Sequence, residues 1–289
     1  MTLARHGGGP LAPLRALASQ VHPVFMLPPL SASLFGALLA TRSTGGFDWR
    51  LAVLHLVAAF FALYTAHVKD GYVDFHVRGE DDDHPLTPSG CRAALAGASV
   101  AFCICLAALG WVVGPVAAAL TLPGWLIGYN HAPTLDVHPV SATAGYPTGI
   151  AFALLGGYYV QATALSGTVV ALAGVFLVVL SGIKVIDDTQ DYEYDRAIGK
   201  RTAAVAVGPA GAYRAAYALM ATGMVAVLGL AVEVDGVPPS AAAAPFVFGA
   251  VAVFARRAGP ELATMLLIRG SYLFLAVLVA TVWFRPLVT

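Results

Sequence analysis

The sequence predicts an all-α, polytopic membrane protein with nine transmembrane helices in a bundle. Three observations carry that expectation. Of 289 residues, 58% are hydrophobic and only 11% are charged, against about 25% charged in soluble domains. Nine long apolar runs follow one another along the chain, and the basic residues concentrate on alternate connections between them. A mean hydropathy of +0.77 excludes a cytosolic globular enzyme and a disordered chain. Sixteen basic and sixteen acidic residues balance to zero, so no global field draws nucleic acid or an anionic surface.

About 20 apolar helical residues cross a hydrocarbon core about 30 Å thick. The stretch up to Val21 holds Arg5, Arg15 and several Gly and Pro. It lacks the apolar core and small-residue cleavage site of a signal peptide, so none is expected. The runs cover approximately 22–41, 50–68, 91–109, 111–129, 143–163, 166–185, 209–232, 239–256 and 264–284. Connections at 110, 163–166 and 257–263 are short, which makes those neighbours antiparallel. Cys91, Cys103 and Cys105 are unpatterned and read as small buried hydrophobes; a disulfide framework or zinc site needs another arrangement. A single domain is expected over 1–289.

Short cytoplasmic loops accumulate Lys and Arg. With the N-terminus inside, thirteen basic residues fall on the inner side, and only Arg42, Arg50 and Arg285 fall outside. The C-terminus is then outside. The inner connections after the second and sixth runs hold Asp70, Asp74, Glu80, Asp81, Asp82 and Asp83, then Asp187, Asp188, Asp191, Glu193 and Asp195. That is eleven of the sixteen acids. Carboxylates at the end of a span are costly unless neutralised, so the chemistry is expected there.

In the second cluster Asp187, Asp191 and Asp195 recur every fourth residue, which on a helix places them on one face over about two turns. Like charges at that spacing repel, and the pattern makes sense if a divalent cation sits among them. Magnesium favours a few carboxylates with waters and phosphate oxygens. Arg196, Lys200 and Arg201 follow, able to neutralise the same phosphates. The first cluster repeats the spacing at Asp70 and Asp74, followed by Arg78 and a Gly/Pro-bounded loop. Two such helix ends facing across a cavity would hold two cations and one diphosphate, the arrangement for ionising an allylic diphosphate.

These motifs resemble those of the UbiA superfamily of intramembrane prenyltransferases, over essentially the whole chain. The second motif matches as Asp187-xxx-Asp191-xxx-Asp195, continuing through Arg-Ala-Ile-Gly199-Lys-Arg-Thr202. The first keeps Asp70 and Asp74 but has Ala66 where the family has Asn. The family's Asn-Arg-Pro segment is represented by Asp83-His84-Pro85-Leu86, and Tyr129-Asn-His-Ala-Pro133 is similar to its Tyr/Pro segment. Gly156-Gly-Tyr-Tyr-Val-Gln161 is similar to the branch that prenylates a dihydroxynaphthoate.

The resemblance implies nine helices around a central lipid-accessible cavity, with a prenyl diphosphate as donor and two or more Mg²⁺ ions (or Mn²⁺). It assigns catalysis to Asp70, Asp74, Asp191 and Asp195, with Asp187 as a further metal ligand. Lys69, Arg78, Tyr129, Lys184, Lys200 and Arg201 are assigned to substrate binding. The first site's missing ligand falls to His67, to one of Asp81–Asp83, or to water. The family's basic residue in the loop after the fourth run has no clear counterpart, since that loop offers His131, Asp136 and His138.

Other readings compete for several residues. His67 and His84 can bind phosphate or shuttle protons, but a loop histidine is more often simply solvated. Lys69 and Lys184 can contact diphosphate or snorkel to headgroups. Among the tyrosines, Tyr129 is favoured over Tyr146, Tyr158 and Tyr159 for stabilising a carbocation. Gly156 and Gly157 allow close helix packing, and Arg256 and Arg257 serve topology. The expected function is Mg-dependent transfer of an isoprenoid chain to a lipophilic, quinone-precursor-like aromatic acceptor, with membrane lipid as the surroundings and no nucleic-acid partner. A membrane terpene cyclase would ionise the same donor. A phosphoalcohol transferase lacks its Ala-Arg after Asp70-Gly71. A divalent-cation transporter would place its acids near the bilayer midplane.

Overall fold

The computed structural model describes residues 2–233 and 237–284; Arg285 and the expected outer C-terminus fall outside them. Helices α1 (Ala12–Ala18), α2 (Pro23–Thr44), α3 (Trp49–Gly71), α4 (Pro88–Val112) and α5 (Pro115–Asn130) come first. They are followed by α6 (Pro139–Ala162), α7 (Gly167–Asp187), α8 (Tyr192–Ala197) and α9 (Ala203–Val207). Last are α10 (Pro209–Glu233), α11 (Ala243–Ala255) and α12 (Pro260–Phe284). Each of the nine apolar runs contains one long helix among the described residues. Six are long and apolar enough to cross a membrane, those at Pro23–Thr44, Trp49–Arg78, Pro88–Val112, Gly167–Asp187, Pro209–Val232 and Glu261–Phe284. The other three are α5, α6 with Pro147 inside it, and α11, which has 13 residues.

Local chemistry sets the starts. The Asp48 side chain accepts from the N–H groups of Arg50 and Leu51, Thr87 from Gly90, and Ser166 from Val169, satisfying donors that a helix start leaves unpaired. Pro88 and Pro115 open their helices, where a missing N–H costs nothing. The expected break at 110 therefore lies later, at Gly114 (φ 131°).

The chain clusters into two compact units, Met1–Leu135 with Phe152–Thr163, and Asp136–Ala151 with Ala164–Thr289. In the first, α3 packs on α2, α4 and α5. Lipid supplies little hydrophobic drive between helices, so association relies on close packing and buried hydrogen bonds. Gly36 of α2 lies against the Leu154 carbonyl of α6, and Gly157 lies against the Ser33 carbonyl, with no room for a Cβ at either place. His55 and Ser33 share a buried hydrogen bond of 2.7 Å. A Cβ on Gly128 would come within 3.0 Å of the Ala62 carbonyl and the Ala66 Cβ, so a small residue at 66 lets α5 close on α3. On α4, Cys91, Ala94, Ala98, Phe102, Cys105 and Leu109 are buried. Cys103 falls off that stripe and is exposed, correcting the expectation that all three cysteines are buried.

In the second unit α7 packs on α10 and α12, and α11 on α12. Phe274 stands edge-on to both Phe176 and Phe248, the ring geometry that aromatic quadrupoles favour.

Candidate functional site

The first acidic motif lies at the end of α3. Past Gly71 the chain winds on as a π-helical turn, Tyr72–Arg78, a distortion often found at functional sites. It stops at Gly79, in the left-handed region with φ 67°. Asp70 and Asp74 are half-buried. Arg78 Nη1 lies 3.4 Å from Asp74 Oδ1, and its Nε lies 3.6 Å from Glu80 Oε1. The arginine thus holds the loop acid beside the helix acid. Lys69 Nζ sits 4.9 Å from the centre of the Tyr129 ring, which stacks on Trp125. The structure therefore brings together two residues assigned separately to substrate binding.

The loop after the motif is tied down from an unexpected direction. Ala4 and Leu86 form an antiparallel bridge. The Arg5 N–H donates to the Pro85 carbonyl at 2.9 Å, and the Thr87 N–H to the Leu3 carbonyl at 3.0 Å. Asp83 accepts from Arg5 Nη1 at 3.3 Å and pairs with His6 Nε2 at 2.7 Å; that hydrogen bond holds its carboxyl below the ordinary range. Asp83 is thus engaged by the N-terminal segment, while Asp81 and Asp82 are exposed. The two histidines expected to be solvated are not. His67 stacks on His22 with ring centres 4.8 Å apart, and His84 is 4% exposed because Gly71 leaves space for its ring.

In the second unit, α7 ends at Asp187, residues 188–191 turn, and α8 begins at Tyr192. Asp187, Asp191 and Asp195 do not share one face of a continuous helix, contrary to the fourfold spacing. The helix ends in a tightened turn, where the N–H groups of Thr189 and Gln190 donate three residues back, to the carbonyls of Ile186 and Asp187, and Thr189 Oγ1 donates to the Ile186 carbonyl. Lys184 Nζ lies 2.7 Å from Asp187 Oδ2 and 2.9 Å from Asp188 Oδ1. Asp188 is drawn inside, with a side chain only 2% exposed, and its Oδ2 is buried without a hydrogen-bond partner. Asp188, which the fourfold spacing leaves out, thus lies in the same cluster; its signal in the sequence is the doubled Asp187-Asp188. Gln190 Nε2 links Asp187, at 3.3 Å, to Thr264, at 2.6 Å.

Asp191 caps α8 with its backbone and is exposed, whereas Asp195 is buried. Partial desolvation by the protein around its carboxyl, then the neighbouring Asp187 charge, raises Asp191 above its ordinary value, against the pull of Lys184 and Lys200. Burial likewise raises Asp195, opposed by Lys200 and Thr202. Lys200 therefore acts on both carboxylates, while Arg201 is exposed. A carboxylate group that repels itself in this way fits a hard, oxygen-seeking divalent cation.

An all-helical integral membrane protein with acidic residues gathered at two helix ends is the class these features define. A model of the UbiA prenyltransferase family matches residues 29–278, and the chain belongs to that family; it is a prenyltransferase. The bacteriochlorophyll synthase 33 kDa chain of Cereibacter sphaeroides is 27% identical over 233 residues, covering 75% of this chain and 74% of that one. A UbiA homolog from Aeropyrum pernix K1 superposes with a TM-score of 0.68 at 16% identity, over 90% of this chain and 98% of that one. A UbiA homolog from Archaeoglobus fulgidus bound to GPP and Mg²⁺ gives 0.65 at 17% identity, over 95% and 99%. These structural likenesses establish a shared fold.

Proposed function

We propose that this enzyme transfers an isoprenoid chain from a prenyl diphosphate to a lipophilic aromatic acceptor, releasing diphosphate. The carrying observation is the segregation of carboxylates to the ends of α3 and α7 in a chain of this family. Asp70 and Asp74 on one motif, and Asp187, Asp191 and Asp195 on the other, are the groups that would hold two or more Mg²⁺ ions. The all-oxygen donor set and the raised Asp191 and Asp195 carboxyls support that fit. Bound Mg²⁺ supplies positive charge for the departing diphosphate. Lys69, Arg78, Lys184, Lys200 and Arg201 add fixed positive charge for the same anion, and Tyr129 offers a π-face for a developing allylic cation. The Archaeoglobus homologs bound to GPP or DMAPP with Mg²⁺ support the donor class. The bacteriochlorophyll synthase relative supports a large ring system among acceptors to be tested. Nine spans, cytoplasmic acidic loops and N-terminus, and an outer C-terminus complete the reading, on the thirteen-to-three division of basic residues.

The test is diphosphate release from geranylgeranyl diphosphate by purified protein with Mg²⁺, with and without a panel of quinone-precursor and bacteriochlorophyll-precursor acceptors. Acceptor-dependent release and a product mass equal to acceptor plus prenyl chain are expected. Release without acceptor, yielding a cyclised hydrocarbon, would replace transfer with cyclisation.

A further inference from the structure

We propose that His76, His84 and Cys91 form a separate binding site for a borderline or soft metal ion, Zn²⁺ or a similar cation. Their ligand atoms all lie within 4.8 Å of one another. His84 Nδ1 stands 3.8 Å from Cys91 Sγ, close to the ~3.6 Å edge of a tetrahedron built on Zn–N of about 2.0–2.1 Å and Zn–S of about 2.3 Å. A fourth donor is at hand. The Leu86 carbonyl oxygen lies 3.0 Å from His76 Nε2 and 3.2 Å from His84 Nδ1.

The three side chains come from different segments of the first unit: the π-helical turn, the loop, and the first turn of α4. No local zinc motif announces them, which is why cysteine spacing alone argues against such a site. His84 and Cys91 are buried and His76 is half-buried, so the donors are fixed by packing while one side stays open for entry. The Leu86 N–H lies 3.2 Å from His84 Nδ1, which puts the ring's lone pair on the nitrogen that faces Cys91 Sγ; the metal would take that lone pair in place of the N–H. Two imidazoles and a thiolate select Zn²⁺ or Cu⁺ over Mg²⁺, which prefers oxygens. On binding, Cys91 releases its proton to solvent and both imidazoles coordinate as neutral rings. The ion would then tie the loop after the first acidic motif to the ends of the two helices it joins.

The experiment uses the full chain in detergent, stripped with chelator and returned to saturating Mg²⁺ so that the carboxylates are occupied. Titration with Co²⁺ should produce a near-ultraviolet thiolate-to-cobalt charge-transfer band and the visible bands of tetrahedral cobalt, both removed by Zn²⁺. Cys91→Ser should abolish the charge-transfer band, while Cys103→Ser and Cys105→Ser should keep it. His76→Gln, at the half-buried donor, should weaken Co²⁺ binding at least ~100-fold, the upper end for loss of even an outer-shell partner. Absence of the band in the wild-type chain, or its survival in Cys91→Ser, overturns the proposal. If Cys91→Ser does not fold, His76→Gln decides: unchanged affinity overturns the site and lost affinity supports it.

Discussion

Removing Lys184 and removing Asp188 should have very different costs, although the two side chains share one ion pair. At 2.9 Å the attraction amounts to about 6 kcal/mol at an effective dielectric constant of about 20. Withdrawing Asp188 from water consumes several kcal/mol of it. Lys184→Met leaves a carboxylate with a 2% exposed side chain and no cation, an unpaired buried charge worth about 3–5 kcal/mol of destabilisation. Asp188→Asn leaves a lysine that is 30% exposed and still 2.7 Å from Asp187, so about 1 kcal/mol is expected. The double variant Lys184→Met/Asp188→Leu should recover most of the loss seen in Lys184→Met alone. Thermal unfolding of the three variants in one detergent, without substrate or metal, measures this. If Asp188→Asn is as damaging as Lys184→Met, or the double variant is no better than the single, burial of the carboxylate is not the governing cost. The comparison also bears on function, because a lysine committed to two carboxylates has less charge to offer a diphosphate.

Other outcomes follow from the site. Asp74→Ala and Asp191→Ala should each lower turnover at least ~100-fold, the scale for losing a main electrostatic stabiliser, while far-ultraviolet circular dichroism stays that of the wild type. Chelation with EDTA should abolish diphosphate release, and excess Mg²⁺ or Mn²⁺ should restore it. The raised Asp191 and Asp195 carboxyls hold protons above the ordinary value of about 3.9, and Mg²⁺ competes with those protons. The half-saturating Mg²⁺ concentration should therefore rise as pH falls, beginning above the ordinary carboxylate range; a flat dependence through mildly acidic pH would count against these ligands. Gly157→Val, forced against the Ser33 carbonyl, should cost about 3 kcal/mol or more, read as loss of the wild-type folded peak in size-exclusion chromatography.

Much of this architecture was legible because a bilayer imposes length and polarity on every span. The apolar runs, the proline and hydroxyl-bearing starts, and the gathering of acids at two helix ends all follow from local composition. What escaped depends on contacts distant in sequence. The fourfold recurrence of Asp187, Asp191 and Asp195 matches a helical period, yet α7 ends at Asp187 in a turn closed by Thr189 and Gln190, and periodicity carries no information about where a helix stops. Asp83 looked like a free carboxylate until Arg5 and His6, more than 75 positions earlier, were found on it. His84 is buried through the space left at Gly71, and Cys103 is exposed through its angle on α4. None of these has a local signature.

The bridge between Ala4 and Leu86 also dictates an order of events during synthesis. Its two halves straddle α2 and α3, so the segment made first must wait for a partner made about 80 residues later. At roughly 5–20 residues per second, residues 3–6 stay uncommitted for roughly 4–16 s while both helices enter the bilayer. The clasp can then close only if both ends have stayed on the same side of the membrane. It thereby acts as a checkpoint on the first helical hairpin: a chain in which only one of α2 and α3 crosses the bilayer has its two ends on opposite faces and cannot fasten the loop beside its first acidic motif.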